Sequence, residues 1–213
     1  MKRKRLIRLI HKKLRGNGGF SLAELLLSTA IMLFATSILT STITLAMRTY
    51  DKSIDANEAN ALCKTLSLVL RDRLTNIIKY EKDSDDINAS KYCSTSAGEA
   101  FFPFQILIKK SEGSYVPAKK EVYGEVVLGY FDSDSTKYRL VNDRAFFDSD
   151  GKAKFVAECE VTPTFKNVTG KTYTQEIENF KVVIRVYLPD KLDHEMAESN
   201  FIVYPINGNI PVN

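Results

Sequence analysis

Four shortages organise this chain of 213 residues. Glycine and proline are missing from Phe20 to Ala97, so neither of the strong local breakers interrupts that stretch. Acidic residues are missing from the first 19 positions, which carry eight basic ones: Lys2, Arg3, Lys4, Arg5, Arg8, Lys12, Lys13 and Arg15. Charge is nearly missing from the 28 residues Phe20–Met47, where Glu24 is the one charged side chain. Histidine is scarce: His11 lies among the basic residues and His194 stands alone in a polar stretch expected as a loop. No histidine-based triad or zinc site can be assembled from that pair.

The uncharged run sets the first expectation. A helix of that length rises about 42 Å at about 1.5 Å per residue, more than the roughly 30 Å of a hydrocarbon core. The basic residues in front of it keep that end in the cytosol by the charge-bias rule and place everything after Met47 outside. The run is well beyond the roughly 7–15 residues of a secretory signal's apolar region, and no small-x-small cleavage site follows it. An ordinary signal-anchor helix is the plain reading, because a single carboxylate near the end of a span can reach the interface.

The helix is expected to continue past the membrane. Tyr50, Ile54, Ala59, Leu62, Cys63, Leu66, Val69, Leu70, Ile77 and Ile78 recur mostly at three- and four-residue steps, with charged residues largely between them. That pattern gives an amphipathic second half with an apolar stripe for a sheet. Carried to Lys82, the helix spans residues 20–82, about 95 Å. Within it, Thr29, Thr36, Thr40 and Thr44 form a stripe of small polar residues. Two readings stand side by side: close approach of a neighbouring helix, or hydroxyls that satisfy carbonyls of their own helix.

Asp83–Gly98 reads as a loop. Short β-patterned runs follow at Phe101–Lys109, Val122–Phe131, Tyr138–Val141, Lys154–Thr162, Thr172–Ile177, Phe180–Leu188 and Phe201–Ile206. Turns are marked by Asp148-Ser149-Asp150-Gly151, Thr169-Gly170 and Asn207-Gly208. The expected fold class is α+β, a long N-terminal helix packed on a C-terminal antiparallel sheet. The expected divisions are a basic leader (1–19), the long helix (20–82, transmembrane over about 20–47) and a β-rich head (83–213).

Charge and cysteine narrow the function. The chain has 30 Lys+Arg and 26 Asp+Glu; without the eight leader cations the balance is 22 against 26, or −4. Net charge therefore gives no ground for a nucleic-acid partner. Three cysteines is an odd number, so at least one is unpaired within a single chain. Cys63 and Cys159 lie on apolar stripes and read as small buried hydrophobes, while Cys93 falls in the loop and is free to bridge to either. Asp132-Ser133-Asp134-Ser135 and Asp148-Ser149-Asp150-Gly151 resemble pieces of calcium loops, but neither continues to the glutamate a full loop requires, so hairpin turns are the expectation. Asn88-Ala89-Ser90 and Asn167-Val168-Thr169 fit the glycosylation triplet, a pattern frequent by chance. No catalytic grouping, metal site or cofactor is expected, and the protein reads as a non-enzyme.

At Gly18-Gly19-Phe20-Ser21-Leu22-Ala23-Glu24 the chain resembles the type IV prepilins and pseudopilins, whose mark is a short basic leader ending in Gly, then Phe, Glu at the fifth mature position, and an unbroken apolar helix. The resemblance covers about the first 30 residues. It implies cleavage by a prepilin peptidase between Gly19 and Phe20, N-methylation of Phe20, and an assembly role for Glu24. Its physical sense is that an uncut leader would drag eight cations into lipid, each opposed by about 2.5–3.5 kcal/mol. After cleavage, the buried Glu24 carboxylate gains a partner in the Phe20 amine of a neighbouring copy, which fixes the offset between subunits. Such pilins often loosen at a helix-breaking Gly and Pro; Leu33 and Ser41 stand there in this chain, and only the Thr40–Thr44 run remains to loosen it.

The resemblance is to a minor pilin or pseudopilin, single-pass in the cytoplasmic membrane with its N-terminus cytosolic and its head outside, then on the cell surface in a filament. Implied partners are other pilin subunits, the prepilin peptidase, an assembly platform protein with its ATPase, and membrane lipid. Secretion and competence pseudopilins fit the same residues. The reading from another class is a permanently anchored extracytoplasmic binding or adhesion protein.

Overall fold

The computed structural model describes residues 21–83, 89–94, 102–130, 137–141, 146–147, 149–170, 175–207 and 210–212. One helix, α1 (Leu22–Thr75), runs for 54 residues without a break. It contributes to both of the compact units into which the chain divides, Met1–Lys52 and Ser53–Asn213.

In the first unit the described residues of α1 are almost all exposed. Its large apolar side chains from Leu22 to Met47 are all exposed, Phe34 by 72% and Ile38 by 65%. In the second unit the same helix buries Ala59, Leu62, Cys63, Leu66, Leu70 and Leu74 against the β-structure. The long helix packed on a sheet head is thus the α+β architecture that the patterning predicts.

The helix stops at Thr75 rather than at Lys82. Ile77 and Ile78 fit a helical stripe by spacing, yet they open strand β1 (Ile77–Glu81). Two β-branched residues followed by Lys79 and Tyr80 suit a pleated surface equally well, and tertiary pairing decides. The helix end is closed by local partners. Asn76 Nδ2 donates to the Asp72 carbonyl at 2.9 Å, and the Ile206 N–H donates to the Thr75 carbonyl at 2.9 Å. Asn207 Nδ2 then donates to the Ile77 carbonyl at 3.3 Å. Of these acceptors Thr75 is the terminal helix carbonyl without a helical donor, and the Ile206 N–H satisfies it.

The β-structure forms two sheets rather than one. β1, β2 (Lys91–Ser94), β3 (Phe102–Ser111), β5 (Glu125–Tyr130) and β6 (Lys137–Arg139) lie side by side in that order, with β4 (Ser114–Pro117) paired to β3. The second sheet holds β7 (Val156–Asn167), β8 (Gln175–Leu188), β9 (Lys191–Val203) and β10 (Ile210–Pro211), with β8 between β7 on one side and β9 and β10 on the other. All strand pairs within the sheets are antiparallel.

Among the described residues, two backbone seams join the sheets. Gly124 and Ala157 exchange both backbone hydrogen bonds, at 3.1 and 2.7 Å, and Tyr80 forms a parallel bridge with Val212. Glycine is required at the first seam, because a Cβ on Gly124 would collide with the Lys109 carbonyl and come within 2.6 Å of Ile108 Cγ2.

Several expected boundaries shift, each for a visible reason. The runs Thr172–Ile177 and Phe180–Leu188 belong to one strand, β8. Its core residues Ile177 and Phe180 are three apart, which breaks strict alternation. The register shift opposite Thr164/Phe165 takes up the extra residue, Glu178, as a β-bulge does. Strand β9 begins at Lys191 rather than Phe201 and turns back from β8 at Pro189-Asp190. His194 therefore lies on a strand, exposed, and not in a loop. Cys93 is also on a strand, β2, within the segment expected as a loop.

Candidate functional site

Gly19 and Phe20, the expected cleavage and methylation residues, lie outside the described residues. Glu24 lies inside them, in the first turn of α1. Its Oε2 accepts from the Ser21 backbone N–H at 3.0 Å and from Ser21 Oγ–H at 3.3 Å. The Glu24 N–H donates to Ser21 Oγ at 3.2 Å, and the Leu25 N–H to the Ser21 carbonyl at 3.1 Å. These four contacts make a capping box with Ser21 at the cap, so Glu24 has a partner inside its own chain and a favourable place at the positive end of the helix. Ser-x-x-Glu ahead of an apolar run is the sequence signal for it, unused when Glu24 is read only as an intermolecular group.

Beyond the cap, α1 from Leu22 is long and apolar enough to cross a membrane, and none of its apolar window is buried. Its hydroxyls point back along the helix. Thr36 Oγ1 donates to the Met32 carbonyl at 2.9 Å, Thr40 to Thr36 at 2.9 Å and Thr44 to Thr40 at 2.8 Å. Thr29 reaches the Leu26 carbonyl at 2.9 Å. Of the two readings of the threonine stripe, self-satisfaction accounts for the hydroxyl protons. The side chains are small and exposed, so the stripe keeps a low-relief surface of the kind on which helices can approach closely. Ser41 and Thr42 make the same bonds, to Ser37 at 3.0 Å and Ile38 at 2.8 Å, and the Thr40–Thr44 run stays helical.

The second unit offers packing in place of chemistry. Among the described residues, no three His, Cys, Asp or Glu side chains come together to hold a metal ion. Asp132-Ser133-Asp134-Ser135, Asn88 and Asp148 lie outside the described residues, while Ser149-Asp150-Gly151 forms a turn with Gly151 at φ 74°. Asn167 ends β7, exposed. The buried Glu158 carboxylate accepts from the Glu121 backbone N–H and from Arg185 Nη1 at 3.0 Å. Arg185 also lies 3.6 Å from Glu195 and 3.4 Å from Glu198. Glu121 holds a positive φ of 65°, so the bond to Glu158 pins a strained turn while Arg185 balances the buried charge. Tyr123 then packs edge-on against Tyr187, ring centres 5.1 Å apart, which covers the second face of β8.

Cys63, Cys93 and Cys159 are all buried free thiols. Burial raises the pKa of Cys63 to about 11 and that of Cys159 to about 12, which leaves both protonated and unreactive in the folded protein. No protein-family profile, curated protein or solved structure matches the chain.

Proposed function

We propose that the protein is a non-enzymatic subunit of a type IV pilus or related pseudopilus, of the minor class. On this reading the prepilin peptidase cuts after Gly19, Phe20 becomes the methylated N-terminus, and the exposed apolar length of α1 passes from lipid into a bundle of neighbouring pilin helices. The head stays outside the cytoplasmic membrane throughout, and an assembly platform with its ATPase drives the transfer. One observation carries the proposal. Glu24 is a single carboxylate at the head of an apolar, uncovered helix, five residues after the Gly19 that closes a basic leader.

In the uncut chain the capping box partners that carboxylate. In a filament the freed amine of an adjacent Phe20 becomes a stronger partner, because an opposite charge in apolar surroundings outweighs a neutral donor. Glu24 thereby sets the axial register. The test is incorporation into sheared filaments. Glu24→Ala is expected to abolish it, whereas Ser21→Ala, which removes the cap but keeps the carboxylate, retains it. Equal loss in both variants would assign Glu24 to helix capping alone, and unchanged incorporation of Glu24→Ala would remove the assembly role.

A further inference from the structure

The three thiols are not equivalent in position. Cys63 is on the face of α1 turned toward the second sheet, and its Sγ lies 3.8 Å from the Ile184 carbonyl oxygen. The cross-strand partner of Ile184 is Cys159, and such partners stand about 5 Å apart with side chains on one face. Both cysteines belong to the core cluster, exposed by 3% and 0%. Cys93 is elsewhere. Its neighbour Tyr92 faces that core and stacks on Phe104, so Cys93, next along the strand, faces the opposite side. It is outside the core cluster, near Lys79, Glu81 and Lys91.

We propose that Cys63 and Cys159 form a disulfide that fastens α1 to β7 when the chain folds under oxidising conditions, and that Cys93 remains a thiol. The bridge needs an external disulfide as oxidant, either a small thiol–disulfide couple or a dithiol oxidoreductase. One cysteine thiolate attacks the external disulfide and releases a thiolate. The second cysteine displaces the remaining external sulfur. Two S–H bonds are replaced by one S–S bond, and the external disulfide leaves as two thiols carrying the two electrons and two protons. Exchange takes place before the core closes, since the folded environment suppresses the thiolates. Afterwards the closed core shields the bond from reductants.

The oxidising location follows from the proposed topology, but the bridge itself can be tested apart from it. The full chain is unfolded, then refolded in detergent with glutathione and glutathione disulfide, or with reductant alone. After acid quenching, alkylation and digestion without reductant, the peptides bearing Cys63 and Cys159 are expected as one linked species, two hydrogens lighter than their sum, with Cys93 alkylated. Oxidation should raise the melting temperature by roughly 10 °C, because the bond closes a long loop. Cys93→Ser should keep that shift, and Cys63→Ala and Cys159→Ala should each lose it. Alkylation of all three cysteines across the redox series, or a bridge that includes Cys93, overturns the proposal. A bridge formed on refolding, with free thiols in protein taken from cells, upholds it and counts against the extracytoplasmic placement.

Discussion

Phe34 and Ile38 stand 72% and 65% exposed on α1, while Leu70 and Leu74, farther along the same helix, are fully buried. The secondary structure is shared and the source of stability is not. From Ser53 onward the helix is held by tertiary packing of one face, the usual origin of helical stability in water. Before Ser53 its large apolar side chains are exposed among the described residues, and an apolar girth of that length suits a membrane. One continuous element thus joins an exposed apolar part to a part fixed within its own core.

The largest break in this contrast is expected from Leu70→Ala. Truncating a fully buried leucine removes about 2–5 kcal/mol from the second unit, read as a lower midpoint in denaturant. Leu33→Ala, at an exposed site, should leave that midpoint unchanged. Next comes Ile38→Arg, which opposes membrane insertion by about 2.5–3.5 kcal/mol. It should shift the protein from the membrane to the soluble fraction while the head keeps its melting transition.

Gly124→Ala probes the seam between the sheets, with an expected loss of about 1–3 kcal/mol from overpacking and no effect on membrane partition. The smallest effect is graded with pH. Under reductant, Cys63 and Cys159 ionise near the ordinary value of 9.0 when unfolded but only near about 11 and 12 when folded. Their contribution is complete below pH 9 and declines as pH rises toward those folded values. Titrating melts of Cys63→Ala beside the parent should show a shallower alkaline decline in the variant.

Much of this contrast is legible in the sequence. The absence of Gly and Pro and the near absence of charge define the uncovered length of α1, and the stripe through Ala59, Leu62, Leu66 and Leu70 defines the packed length. The helix end is not legible, because Ile77-Ile78 fits either period and only the pairing of β1 with β2 settles it. The bulge at Glu178 hides the unity of β8, since it resets the alternation on which strand reading depends. The first half of β9 is hidden by its own composition, for Asp193, His194 and Glu195 carry no apolar alternation on an edge strand. The site divides in the same way. Ser21-x-x-Glu24 is readable from four letters, whereas the nearness of Cys63 to Cys159 depends on a helix laid across a sheet.

The most direct measurement is the mass of the N-terminal peptide of the protein isolated from its cells. The account predicts a chain that begins at Phe20 with one added methyl group. Recovery with Met1–Gly19 still attached, in cells that assemble filaments, would contradict it.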